Sequence, residues 1–289
     1  MKMNAIQIRN VTKRYKNITA LDHVSFSFEH GRIYGFLGRN GAGKSTLINI
    51  IANRIFSDEG EVLIDGIPAK ENMGVHEKVF CMSETDLYDT GLKIKEHFKW
   101  MKRFYDSFDM EKALEIAGKF QLDTEKRFGA LSKGYQTIFK LTAALALNVP
   151  YVIFDEPVLG LDANHRELFY ALLLKDYEEK ERTIIIATHL IEEVANLIED
   201  VVLIDRGKVI LQESVENLLA AGYCVSGMAQ EVDRYCKGKN VIGQDELGGL
   251  KLVYVLGEKT QIPAGSGLQM TAMNLQKLFV KLTEKGGDG

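Results

Sequence analysis

Apolar runs divide the chain before any motif is read. In "HVSFSF" (23–28) apolar and polar residues alternate, the period of a half-buried strand. "AIQI" (5–8) and "RIYGFLG" (32–38) flank it as further short strands. "KSTLINIIANRI" (44–55) switches to helical spacing, with Leu47, Ile50, Ile51 and Ile55 on one face. "EVLIDG" (61–66) predicts a strand ending in an Asp-Gly turn. From about 92 to 147 the pattern is helical. "YVIFDEP" (151–157) and "TIIIATH" (183–189) open on short, wholly apolar runs, the look of strands buried on both faces of a parallel sheet. A helix of roughly Asn164 to Glu179 lies between them. Strand and helix in alternation predict a parallel α/β sheet, and the helical stretch 84–147 reads as an insertion into it. Beyond about residue 222, "YCVSG", a short helix, "NVIGQDE" and "LKLVYVLG" predict a β-α-β-β unit. A helix, "NLQKLFVKLTEK", closes it with Leu275, Leu278, Phe279 and Leu282 on one face.

Composition narrows the class. The 289 residues, 46% of them hydrophobic, suit one main domain with a small appendage. A net charge of -4 argues against a nucleic-acid coat. Cys81, Cys224 and Cys236 are scattered without metal-ligand spacing, so buried or idle thiols in a reducing compartment are expected. The N-terminus lacks an apolar signal core. The best candidate for a membrane span, "LTAALALNVPYVIF", is interrupted by Asn148 and Pro150 and falls short of the roughly 20 residues a span needs. A soluble chain, or one held at a membrane by a partner, is the expectation.

The chemistry starts at "GRNGAGKST" (38–46), which fits G-x-x-x-x-G-K-[ST] after an apolar strand and before a helix. In such a P-loop, Gly38, Arg39, Asn40, Gly41, Ala42, Gly43, Lys44, Ser45 and Thr46 wrap phosphates with backbone N–H groups. The helix N-terminus adds its positive end. Lys44 reaches the β- and γ-phosphates, and the Ser45 hydroxyl is offered to Mg²⁺. "YVIFDE" presents Asp155 and Glu156 at the end of a buried strand. An acid pair there is unremarkable by itself. Beside a P-loop it gives Asp155 a metal role, direct or through water, and makes Glu156 the general base for water. His189 ends a strand that runs parallel to "YVIFD", so it faces the same crevice and can bond a γ-phosphate.

With these residues in place, the chain resembles an ATP-binding cassette (ABC) ATPase over about residues 3–220. "GRNGAGKST" is similar to that family's Walker A, "YVIFDEP" to its Walker B with catalytic glutamate, "LGLD" (159–162) to its D-loop, and His189 to its switch histidine. "LSKGYQ" (131–136) is similar to its signature. The resemblance implies an α/β P-loop NTPase fold: a parallel-sheet core, an N-terminal antiparallel β subdomain and the inserted helical subdomain. A small C-terminal α+β unit, 223–289, would follow the cassette at 1–222. It further implies ATP and Mg²⁺ as ligands, and Tyr15 as the aromatic that stacks on adenine. Partners are implied as well: a second cassette in a homodimer or ABC heterodimer, and membrane permease subunits. Each signature caps the other copy's ATP, so Ser132 and the Gly134 backbone would donate to the γ-phosphate of the opposite site. Placement would be cytoplasmic, at the inner face of the cell membrane, with no nucleic-acid partner. Within the family the texture is similar to bacterial exporters of the bacitracin-resistance or lantibiotic-immunity type.

Three departures qualify the likeness. Arg39 stands where proline is usual, either strengthening phosphate binding or simply solvated. Lys133 and Tyr135 replace a glycine and a glutamine of the signature, with hydrolysis expected to survive. The Q-loop glutamine should fall within "CMSETDLYDTGLKIKEH" (81–97), which contains none; Ser83 or Glu84 takes its place, and Glu84 is a candidate for the metal. A soluble ABC ATPase and a nucleotide-dependent regulator remain the rival readings. Trp100, Phe104 and Tyr105 are candidates either for a permease-docking groove or for subdomain core.

Overall fold

The computed structural model describes residues 5–83 and 88–285, with side chains as far as Glu284. Two long strands, β1 (Ala5–Tyr15) and β2 (Ile18–Glu29), precede the apolar β3 (Ile33–Leu37), which feeds helix α1 (Lys44–Ile51). The hairpin β4 (Glu59–Ile64) and β5 (Ile67–Pro68) turns at Asp65 and Gly66, both with left-handed backbone as the Asp-Gly dipeptide requires. Short α2 (Met73–His76) leads to β6 (Val79–Met82). The helical stretch holds α3 (Ile94–Phe104), α4 (Met110–Lys119) and α5 (Lys133–Ala146). Next come β7 (Tyr151–Asp155), α6 (Ala163–Glu179), β8 (Thr183–Thr188), α7 (Ile191–Val194), β9 (Asp200–Asp205), β10 (Lys208–Ser214) and α8 (Val215–Ala221). The tail comprises β11 (Gly222–Met228), α9 (Ala229–Cys236), β12 (Val241–Leu247), β13 (Leu250–Leu256), β14 (Gln269–Ala272) and α10 (Leu275–Lys285). Asp109, Ser132, Asp162 and Ser214 cap α4, α5, α6 and α8, each side chain accepting a backbone N–H from three residues on.

The central sheet runs β10-β9-β3-β8-β7-β6, parallel throughout except for β10 at its edge. Strand periodicity explains why its inner strands β3, β8 and β7 are almost wholly apolar. Val152 and Phe154 of β7 face one core, with the helices α3, α5 and α6, while Tyr151 and Ile153 face the other. That second core is closed by Leu47, Ile48 and Ile51 of α1 and by the antiparallel sheet β2-β1-β4-β5 through Ile8, Val24, Phe28 and Ile64. Each central strand is thus sandwiched, and its polar positions are confined to its ends.

Two expectations change. The helix after the P-loop stops at Ile51 rather than Ile55, because Asn53 adopts a left-handed backbone (φ 56°) that ends it. The C-terminal unit is β-α-β-β-β-α: β14 adds a fourth strand on the free edge of β11, giving the antiparallel order β12-β13-β11-β14. One face of this sheet packs on α9, through Tyr223, Val225, Val232 and Val253. α10 contacts α7, α8 and β12, and its Leu275, Leu278 and Phe279 share a core with Ile191, Val194 and Leu218. Cys81, Cys224 and Cys236 are buried free thiols. Trp100 and Phe104 are exposed and stacked on one another, whereas Tyr105 packs inward against Phe80. Among the described residues no helix is long and apolar enough to cross a membrane.

Candidate nucleotide site

The strand order brings the carboxyl ends of β3, β8 and β7 side by side. The residues leaving those ends are the P-loop, His189 and the Asp155–Glu156 pair. Open parallel sheets bind ligands at such ends. The phosphate-wrapping loop is held from behind. Ala42 N–H donates to the Arg39 carbonyl at 3.1 Å, and Gly207 N–H donates to the Ala42 carbonyl at 2.9 Å. Gly43 has φ 110°, and a Cβ there would stand 2.6 Å from the Ala20 carbonyl oxygen. Only glycine satisfies both conditions. Gly38 is buried, Arg39, Asn40, Gly41 and Ser45 are exposed at the rim, and Thr46 is half-buried.

Lys44 is 5% exposed. Its ammonium donates to the Gly38 carbonyl at 2.7 Å and stands 3.7 Å from Glu156 Oε1. Burial pushes the Lys44 pKa down; the carboxylates of Glu156 and Asp155 pull it back up. A cation so placed is desolvated and ready for phosphate.

Glu156 adopts φ 50°, a conformation that costs a non-glycine residue about 1–2 kcal/mol. Neighbours enforce it. Its backbone N–H donates to the Ala187 carbonyl at 2.8 Å. Its carboxylate accepts from the Thr188 hydroxyl at 2.9 Å, from the His189 N–H at 3.2 Å and from His189 Nδ1 at 2.9 Å. Because a carboxylate only accepts, Nδ1 carries the proton in this pair. Thr188 escaped sequence reasoning; it reads as one more β-branched strand residue. Asp155 lies 5% exposed at the end of β7. Ser45 and Asp155 offer hard oxygen donors suited to Mg²⁺. Among the described residues no group of three or more His, Cys, Asp or Glu side chains could hold a metal. Mg²⁺ is ordinarily held by one or two protein oxygens of this kind together with substrate phosphates and water.

The remaining candidates stand apart. The P-loop cleft is walled by Ala20, residues 39–46 and Glu156. Ser132 and Gly134 open α5 elsewhere, against the turn at Gly160, whose carbonyl would lie 3.1 Å from a Cβ on Gly134. Tyr15 is 45% exposed at the hairpin end of β1, paired with Ile18, and the Lys13 ammonium lies 5.5 Å from its ring centroid. Glu84 lies outside the described residues. Ser83 is described: its carbonyl accepts from Lys140 at 3.3 Å.

A glycine-wrapped loop with a buried lysine after β3, and an acid pair ending β7 on the far side of β8, define a P-loop nucleoside-triphosphatase site. Residues 21–159 match the family described as ABC transporter. The chain is 29% identical over 192 residues to the ABC transporter ATP-binding protein YtrB of Bacillus subtilis (strain 168), covering 66% of each chain. It is also 29% identical over 219 residues to the bacitracin transport ATP-binding protein BcrA of Enterococcus faecalis, covering 74% of this chain and 70% of that one. A dimeric ATP-binding cassette solved in a post-hydrolysis state with ADP and Pi superposes with a TM-score of 0.66 at 28% identity, over 73% of this chain and 98% of that one. Over residues 21–159 the chain is similar to the ABC transporter ATPases, and its site is that of an ATP-binding, ATP-hydrolysing subunit.

Proposed function

We propose that two copies of the chain close head to tail over two ATP molecules, and that closing and release drive a separate membrane permease. The observation that carries this reading is the division of the site. Lys44, Glu156 and His189 converge on one P-loop cleft, while Ser132 and Gly134 stand on another part of the same chain, at the capped start of α5. A second copy, turned about, supplies them to the nucleotide. Lys44 and the loop N–H groups hold the phosphates, Glu156 takes a proton from water, and His189 bonds the γ-phosphate. Mg²⁺, held by Ser45 and Asp155 with the nucleotide, supplies charge neutralisation on the phosphates. Tyr15 stacks on adenine. The cassette would comprise residues 1–222 and the accessory unit 223–289, with placement at the inner face of the membrane through the permease. Relatives include proteins named for export and for import, such as a Nod factor export protein and a petrobactin import protein.

Glu156→Gln tests this reading. Its kcat should fall by about 10²–10⁴, the range for loss of a general base. Light scattering should then show the molecular mass doubling with MgATP and not with MgADP. A variant that stays monomeric at saturating MgATP, together with a Lys44→Ala protein that binds ATP as well as the parent, refutes it.

A further inference from the structure

Helix α5 is apolar on most of its surface, and Phe139 and Leu141 are fully buried. One stripe departs from this. Lys133, Gln136, Thr137 and Lys140, at helical i, i+3, i+4 and i+7, line a cleft of about 290 Å³ that also borders Asp155 and Glu156. Lys140 is 5% exposed. Burying an ammonium is costly, and chains retain such a group only where nearby oxygens and carboxylates compensate it. Its Nζ donates to the Ser83 carbonyl, just past the end of β6, at 3.3 Å. Ser83 lies in the stretch where no glutamine is available to reach the metal site. The helix that starts at the Ser132 cap therefore reaches the hydrolytic acids two turns later, on the same face.

We propose that Lys140 is a positioning residue of the ATPase site: it ties α5 to the backbone at Ser83 and sets where the end of β6, at Met82 and Ser83, stands against Asp155 and Glu156. Movement of α5 when two copies close is then passed to the end of β6, beside the acid pair, through this ammonium. The inference rests on reading the cleft as the ATPase site.

The test uses full-length Lys140→Met, with Lys140→Gln as a milder variant should the first not fold. Three readouts are taken: amide deuterium exchange without nucleotide, ATP affinity, and kcat. In either variant, exchange around residues 79–83 should quicken at least tenfold, while β7 and β8 keep the parent's protection. ATP affinity should stay within threefold, and kcat should fall at least tenfold. Unchanged local exchange with kcat within twofold of the parent overturns the proposal. So does exchange that quickens equally throughout the chain, because the lysine is then only a packing group. Failure of the underlying reading looks different: Lys44→Ala would bind ATP normally and Glu156→Gln would hydrolyse it normally, whatever the exchange near Ser83.

Discussion

Asp176→Asn should be the most damaging single-charge change outside the nucleotide site. Asp176 on α6 is 2% exposed and sits among three cations. Lys112 of α4 bonds it at 2.6 Å, Lys180 stands at 3.3 Å, and Arg182, itself 1% exposed, pairs with its other oxygen. The same guanidinium donates to the Leu147 carbonyl at 2.8 Å, and burial draws the Arg182 pKa down to about 10. One carboxylate thus joins α4, α6 and the start of β8. Asparagine keeps the volume, so no cavity opens; what is lost is the charge opposing a buried guanidinium. Breaking one side of a buried pair costs about 3–5 kcal/mol. That is a large part of the roughly 5–15 kcal/mol that holds a domain folded. With a urea slope of about 3 kcal/mol/M, the denaturation midpoint should fall by roughly 1–1.7 M. Adding Arg182→Met should recover most of the loss, since a buried pair replaced by apolar groups is often neutral. An Asp176→Asn midpoint within about 0.3 M of the parent (about 1 kcal/mol at that slope), or no recovery in the double variant, refutes the reasoning.

Other consequences can be measured alongside. Gly43→Ala places a Cβ 2.6 Å from a backbone oxygen at φ 110°; it should lower ATP affinity more than tenfold by equilibrium binding. Gly41→Ala, at φ 80° with open space around it, should cost only about 1–2 kcal/mol of stability by urea titration. Thr188→Val removes the hydroxyl that donates to Glu156 and accepts from Leu190 N–H. It should cut kcat about tenfold with ATP affinity unchanged, by steady-state hydrolysis beside a binding titration. Lys180 has its pKa lowered to about 8, first by burial and then by the like charge of Lys112, against the opposing pull of Asp109 and Glu179. Below pH 8 both folded and unfolded chains hold the proton. Between about 8 and 10.5 the unfolded chain holds more of it, so this group makes stability rise with pH across that window. Lys180→Met should lose that rise in urea titrations at pH 7.5 and 10.

Much of the molecule was legible because local patterns carry it. The P-loop spacing, the apolar runs of β7 and β8 and the Asp-Gly turn after β4 are each written within a dozen residues, and the structure has them where those patterns fall. Short elements set by distant partners were not legible. β14 is four residues of ordinary composition, made a strand by the open edge of β11. The end of α1 depended on a left-handed Asn53.

The candidate site divides along the same line. Residue types at fixed spacing named Lys44, Asp155, Glu156 and His189, because their chemistry is intrinsic to their side chains. Thr188, Lys140 and the left-handed backbone of Glu156 gave no sequence signal, since a hydroxyl, an ammonium or a φ angle acquires meaning only from what faces it. The sequence by itself determined the nucleotide loop, the acid pair and the alternation that builds a parallel sheet. Only the tertiary structure decided which hydrogen bonds hold Glu156, and that α10 rests on α7 two residues beyond His189. The reason is range: spacing along a chain encodes contacts within a few turns, whereas strand order and packing join residues far apart in sequence.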